Sequence, residues 1–181
     1  MTDSRYTIAN VAPEVAVNIA YGRSRRETSW RNRETLWADF VARLAEPHRT
    51  HETLTEYTGY TKARQDEIKD VGGFVGGVIN GGRRKKGSVM SRQILTLDID
   101  SAKDLSIIDD YAVSYGYAAV VYSTHKHTPE KPRLRLCALL DRPAFADEYE
   151  AIGRRIAETM GIDAFDPTTF EPSRLDRKSV V

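Results

Sequence analysis

The sequence predicts an α+β fold built on a sheet of split β-α-β-β-α-β order, and three observations predict it. Short apolar and β-branched runs recur at QILTLDID (93–100), YAAVVYS (117–123) and RLRLCALL (133–140), each of strand length. Helical spacing appears between the first two and after the third, in SAKDLSIIDDYAVSYG (101–116) and AFADEYEAIGRRIAETMG (144–161). A last extended segment, IDAFDPTTFEPSRL (162–175), then completes the order. That succession is the one found in ferredoxin-like and RNA-recognition-type (RRM-like) sheets.

Each element carries its own signals. Ser101 is a candidate N-cap for the first helix, with Asp104 three residues on in the place of the usual Glu. The second helix is amphipathic and closes at Gly161, a C′ glycine. DRP (141–143) ends the third strand, and THKHTPEKP (124–132) is a polar loop before it. Upstream, VGGFVGGVINGGRRKKGSVMSRQ (71–93) flanks short apolar runs with paired glycines, Gly72, Gly73, Gly76 and Gly77, around Phe74. This reads as a hairpin or as backbone that a ligand approaches closely, with Arg83, Arg84, Lys85 and Lys86 at its tip. RETLWADFVARLAEP (33–47) has Leu36, Trp37, Phe40, Val41 and Leu44 at helical spacing, and TGYTKARQDEIKD (58–70) is a more polar helix. Residues 1–25 are mixed and expected to be only partly ordered. The expected organisation is an N-terminal α/β extension, mainly helical, over 1–69 and a catalytic core over 70–175.

Composition narrows the function. Lys and Arg total 27 against 26 Asp and Glu, a net charge of +1, so only local clustering can argue for a nucleic-acid partner. The one cysteine, Cys137, excludes an intrachain disulfide and a cysteine zinc site, and fits a reducing cytoplasm. No stretch approaches the roughly 18 apolar residues of a membrane helix, and the N-terminus lacks a signal-peptide pattern.

The chemistry-bearing feature is the pair Asp98 and Asp100 at the end of an apolar strand. Alternation puts both carboxylates on one face and Leu97 and Ile99 on the other. Two adjacent carboxylates repel and lose hydration; a divalent cation relieves both costs, and Mg²⁺ commonly takes one or two carboxylates plus phosphate oxygens. The plainer reading is a strand end leaving the core, with Asp100 capping the next helix. Arg133 and Arg135 likewise share one face of a strand that otherwise reads as core, which suggests a phosphate-binding wall.

A strand ending in two alternate aspartates within this order resembles the catalytic core of the archaeo-eukaryotic-type primase (primase-polymerase) superfamily. A later D-x-x-h-Y/F-x-x-x-R-h segment of that superfamily is matched by DPTTFEPSRL, with Asp166, Phe170 and Arg174 at its acid, aromatic and arginine. The likeness covers about residues 70–175 and is nearest the primase domains carried by phages and plasmids. The family's S-x-H motif is spelled by Ser123, Thr124 and His125, although in many members the histidine starts the next strand, a place held here by Arg133-Leu134-Arg135. His127 reads as a surface loop residue.

The resemblance implies a nucleotidyltransferase that synthesises primers or DNA on a single-stranded DNA template in phage or plasmid replication. Asp98, Asp100 and Asp166 would hold two Mg²⁺ or Mn²⁺ ions. Ser123, His125, Arg133, Arg135 and Arg174 would bind the nucleoside triphosphate, and Arg83–Lys86 the template backbone. It also implies a fused or associated helicase and a mobile element in a bacterial or archaeal cytoplasm, with no membrane partner. Two other functions compete. A replication-initiator or relaxase-type nuclease would use His125 and His127 as a metal pair and a helical tyrosine (Tyr111, Tyr115 or Tyr149) as nucleophile. A non-catalytic RRM-like nucleic-acid module would need exposed aromatics on its central strands.

The last residues, DRKSVV (176–181), are polar and complete no sheet. They can be encoded by GAT CGG AAG AGC GTC GTG, the read of a common sequencing-library adapter, so the segment is expected to be non-native and the gene to run on past Leu175.

Overall fold

The structure is a computed structural model that describes residues 5–9, 12–177 and 179–180. Its elements in chain order are β1 (Arg5–Ala9), β2 (Ala16–Gly22), β3 (Arg31–Leu36), α1 (Trp37–Ala45), β4 (His48–Arg49), α2 (Leu54–Gly59), α3 (Lys62–Ile68), β5 (Gly73–Val75), β6 (Gly77–Ile79), β7 (Val89–Ile99), α4 (Ser106–Ser114), β8 (Ala119–Ser123), β9 (Leu134–Ala144), α5 (Ala146–Met160) and β10 (Ser179–Val180). Residues 162–164 and 167–170 form short 3₁₀ turns. The expectations for residues 1–25 and for the 176–181 tail fall partly outside the described residues.

Five strands make the main sheet, in the order β1-β8-β9-β7-β6. The α+β class and the order β7-α4-β8-β9-α5 are as the periodicity predicts. The alternation along β7 decides its two faces. Leu95, Leu97 and Ile99 join Val121, Leu134 and Leu136 beneath α4 and α5, which contribute Ile107, Ile108, Tyr111, Tyr149, Ile156 and Met160. Ile94, Val120, Tyr122 and Cys137 face the other way. They pack on a second layer built from the β3-β2-β5 sheet and α1, through Val17, Ile19, Trp37, Phe40 and Phe74.

Four expectations change. First, the fourth strand does not form. Residues 164–169 instead run along the free edge of β7: Phe165 bridges Ile99, the Asp166 amide donates to the Asp98 carbonyl at 3.0 Å, and the Asp98 amide donates to the Thr169 hydroxyl at 2.8 Å. Pro167 has no amide to give a strand, and the Asp166 carboxylate accepts from the Thr168 amide, which winds the segment into a turn. Second, the glycine-flanked run is not one hairpin. β5 pairs with β2 in the small sheet while β6 pairs with β7 in the large one, and the chain changes sheets at Gly76, whose carbonyl accepts from the Gln93 and Ile94 amides. A Cβ at Gly77 would strike the Ser91 carbonyl and Arg92 Cα, so that glycine serves strand against strand rather than a ligand.

Third, α4 begins only at Ser106. Ser101 does not cap it; the Asp104 carboxylate accepts from the Ser106 amide instead. β9 also runs through Asp141-Arg142-Pro143 to Ala144, past a register irregularity against β7. Fourth, the segment 1–69 is no separate helical extension. β1 pairs with β8, Arg31–Leu36 is a strand that leads into α1, and β2 and α1 supply half of a shared core. Gly161, at φ 93°, ends α5 as the sequence predicts.

Candidate active site

Antiparallel register sets Asp98 of β7 opposite Arg135 of β9, and two residues along, just past both strand ends, Asp100 lies beside Arg133. Each pair is closed: Arg135 Nε donates to Asp98 Oδ1, and Arg133 Nη1 lies 3.1 Å from Asp100 Oδ2. The D-x-D and R-x-R runs are thus two rungs of one cross-strand charge ladder. The edge segment adds the third acid, because the amide of Asp166 hangs on the carbonyl of Asp98. Arg174 ties the two together: its Nη2 donates to Asp98 Oδ2 and, at 2.8 Å, to Asp166 Oδ2.

Asp98 is 5% exposed. Burial alone would raise its carboxyl, but the Arg135 and Arg174 guanidiniums outweigh it and hold the group below the usual carboxylate range. Asp166 is likewise lowered: the Thr168 amide and hydroxyl and Arg174 overcome its partial burial. Arg135 and Arg174 are in turn held above their usual value by these acids, against the opposing effect of burial.

These residues line a single cleft of about 380 Å³, which also takes in Tyr57, Thr124, His125 and Lys126. Lys62 of α3 and Lys69, just past its end, face it as well, paired with Asp66 at 2.7 and 2.9 Å. Sequence reasoning missed Tyr57, Lys62 and Lys69. They come from the distant α2–α3 segment, and the one signal, for the lysines alone, is their i, i+7 spacing.

The other site expectations divide. Ser123 does not reach the cleft. It pairs with Leu134 in register, so its side chain falls on the α4–α5 face, and Thr124 takes the cleft position. Arg135 is buried against Asp98 and donates at 2.8 Å to the Arg177 carbonyl, so it holds the acid rather than presenting a free guanidinium. His125 is buried against the Tyr57 ring, centroids 4.3 Å apart, with Nε2 3.3 Å from the Thr50 hydroxyl. His127 turns back into its own loop and accepts from the Arg133 amide at 3.2 Å, so the two histidines form no metal pair. The basic tip is also split. Arg83, Lys85 and Lys86 are exposed, whereas Arg84 folds over Trp30 and donates to the Ser173 carbonyl at 2.8 Å. Phe170 is a core residue with Arg154 over its ring.

Asp176, expected to begin a non-native tail, lies at the centre of the molecule, 1% exposed. Its carboxylate takes Arg92 at 3.2 Å and the Thr96 hydroxyl at 2.7 Å, and its amide and carbonyl bridge Phe74.

Whether a divalent cation suits the cleft is a question of donor chemistry. Asp98 and Asp166 share one guanidinium nitrogen, so a cation that displaced Arg174 would find two carboxylates facing it. Asp100 lines the same cleft, turned to Arg133. Among the described residues, no three His, Cys, Asp or Glu side chains gather as a metal cluster, so the donors suit a divalent cation but the packing does not preform a three-carboxylate site.

The fold and site together define an α+β domain in which an interior strand, β7, ends in a buried acid–arginine network opening on a basic cleft. Residues 2–177 match the VapE N-terminal domain family, and the chain belongs to that family. No curated protein matches the sequence. A similar solved structure is the AEP domain of the cyanophage S-2L primase-polymerase, at 14% identity and a TM-score of 0.45, over 90% of this chain and 72% of that one. Among the described residues no helix is long and apolar enough to cross a membrane.

Proposed function

We propose that the chain is the catalytic domain of a DNA primase-polymerase that joins nucleotides on a single-stranded template in phage or plasmid replication, with a helicase fused or associated. The observation that carries the reading is that Asp166, distant in sequence, joins the neighbouring Asp98 and Asp100 in one cleft otherwise walled mainly by cationic side chains. Acids that bind metal and cations that bind phosphate are the two requirements of nucleotidyl transfer, in which the protein supplies position and field rather than covalent chemistry.

Asp98 and Asp166, with Asp100 beside them, would hold two Mg²⁺ or Mn²⁺ ions, which supply the activation of a 3′-hydroxyl and the neutralisation of pyrophosphate. Arg135 keeps Asp98 ionised and oriented. Arg174 releases the two acids and turns to the triphosphate. Arg133, Lys62, Lys69 and Lys126 offer phosphate contacts around the rim, and His125, stacked on Tyr57, shapes the floor. Arg83, Lys85 and Lys86 are left for the template backbone, where contacts carry no sequence information.

The test is incorporation of labelled nucleotides on a single-stranded template with Mg²⁺ or Mn²⁺. Metal- and template-dependent product that disappears in Asp166→Asn, a half-buried position that leaves the Asp98–Arg135 rung intact, is the expected result. Product of equal yield in Asp166→Asn and in an Asp98→Ala, Asp100→Ala chain would refute the assignment.

A further inference from the structure

A second cleft, of about 400 Å³, opens on the other layer of the molecule, between α1 and the β3-β2-β5 sheet. Its size is that of a small-ligand site. Register builds its floor: Arg31 of β3, Tyr21 of β2 and Phe74 of β5 are direct neighbours across three strands and stand on one face. α1 closes the row from above. Phe40 meets Phe74 edge-on with ring centroids 5.1 Å apart, and the Arg43 guanidinium lies over the Tyr21 ring at 4.4 Å. Arg23 completes the rim.

The charges are one-sided. Arg23, Arg31 and Arg43 are exposed and enter no ion pair among the described residues. The acid of the rim, Glu27, is committed to its own loop, where it accepts from the Thr28 and Ser29 amides at 3.0 Å. Tyr21 is the partly exposed ring of this floor, with Phe74 buried behind it, and the exposed Arg43 over it can turn aside for a ligand with a flat apolar body and adjoining phosphate.

A line of ion pairs joins this cleft to the other. Two residues beyond Arg23, Arg25 pairs with Asp66 at 3.2 Å, and Asp66 holds Lys62 and Lys69, which face the acid-lined cleft. Arg25, two residues along the chain from Arg23, thus meets Lys62 and Lys69 at Asp66.

We propose that the α1–sheet cleft is a second nucleotide-binding site, which takes one base of a single strand against the Tyr21 ring as Arg43 turns from it to the flanking phosphates beside Arg23 and Arg31. The choice of ligand rests on the nucleic-acid function proposed above, but the site lies apart from the acids of that reading and its test needs no catalysis. Stacking on aromatics with phosphates in a basic groove is the general means of holding single strands without sequence preference.

The experiment is a salt series of binding by the 181-residue chain, in EDTA, to a fluorescein-labelled oligothymidylate and, separately, to thymidine 5′-monophosphate. It compares the unaltered chain with an Arg31→Ala, Arg43→Ala double variant and with Tyr21→Leu. Both arginines are exposed, so unchanged thermal melting is expected of the double variant. Strand affinity about tenfold lower, with the log–log salt slope reduced by roughly 0.7 for each phosphate no longer neutralised, supports the proposal with the strand as ligand. Loss of monophosphate binding alone supports the site with free nucleotide as ligand. Unchanged affinity and slope for both probes in the double variant would overturn it. Because the assay is run in EDTA and reads binding alone, its outcome is independent of whether the chain polymerises, and the incorporation assay above tests that reading separately.

Discussion

Asp98 carries two opposed demands. A buried carboxylate is tolerable only while Arg135 and Arg174 face it, and removal of one partner of such a pair strands the other charge, at a cost of about 3–5 kcal/mol. Asp98→Ala is therefore expected to lower stability by that order in urea titration, whereas Asp100→Ala, whose carboxylate is 40% exposed, costs under about 1 kcal/mol. The pH dependence follows from the lowered Asp98 and Asp166 carboxyls. Their contribution is full above the unfolded-state value near 3.9 and is lost as pH falls through the lower folded-state values. Acid titration should show stability falling below about pH 4 in the unaltered chain, and a shallower fall in Asp166→Asn. Arg174→Ala separates the two partners of that guanidinium: Mn²⁺ binding without nucleotide should tighten as the acids are freed, while nucleotide affinity drops. Much of this was legible in the sequence, since strand alternation puts Asp98 with Asp100 and Arg133 with Arg135. That the two sets neutralise each other depends on the β7–β9 register, which no local pattern states. The inward turn of Arg84 onto Trp30 was equally hidden, because four consecutive basic residues read alike until a buried ring claims one of them.

At the scale of elements, the sheet is held together where two strands approach unusually closely. Gly77→Ala would push a methyl into the Ser91 carbonyl, and forcing extra atoms into packed structure costs about 1–3 kcal/mol, to be read as a drop in melting temperature. The sequence marked the glycines but not their purpose, since paired glycines suit a hairpin, a ligand or a change of sheet alike. The helices α1, α4 and α5 were legible from apolar spacing. The fourth strand was not: IDAFDPTTFEPSRL has the apolar content of a strand, and only Pro167 and the Asp166 turn oppose it. That departure matters for the site, because an edge segment tied to β7 at Asp98, Ile99 and Asp100 brings Asp166 to the acids.

Across the whole molecule, the two clefts lie on the side of the main sheet away from α4 and α5, and both depend on residues before 70. A chain beginning at residue 70 would lose β1 from the main sheet, β2 and α1 from the second core, and Lys62 and Lys69 from the basic wall. It is expected not to fold cooperatively, which loss of a sigmoidal urea transition by circular dichroism would register. Asp176 makes a comparable contribution: Arg92 is fully buried, and Asp176→Asn should cost about 3–5 kcal/mol.

Whether the acids of one cleft bind a metal–nucleotide pair is the question on which the proposed function stands or falls. The most direct measurement is calorimetric titration of a nucleoside triphosphate into the chain with and without Mn²⁺, repeated with Asp166→Asn. Binding that requires Mn²⁺ and weakens at least tenfold in the variant, about 1.4 kcal/mol, is the predicted result. Equal binding by both chains, or binding indifferent to Mn²⁺, would contradict it.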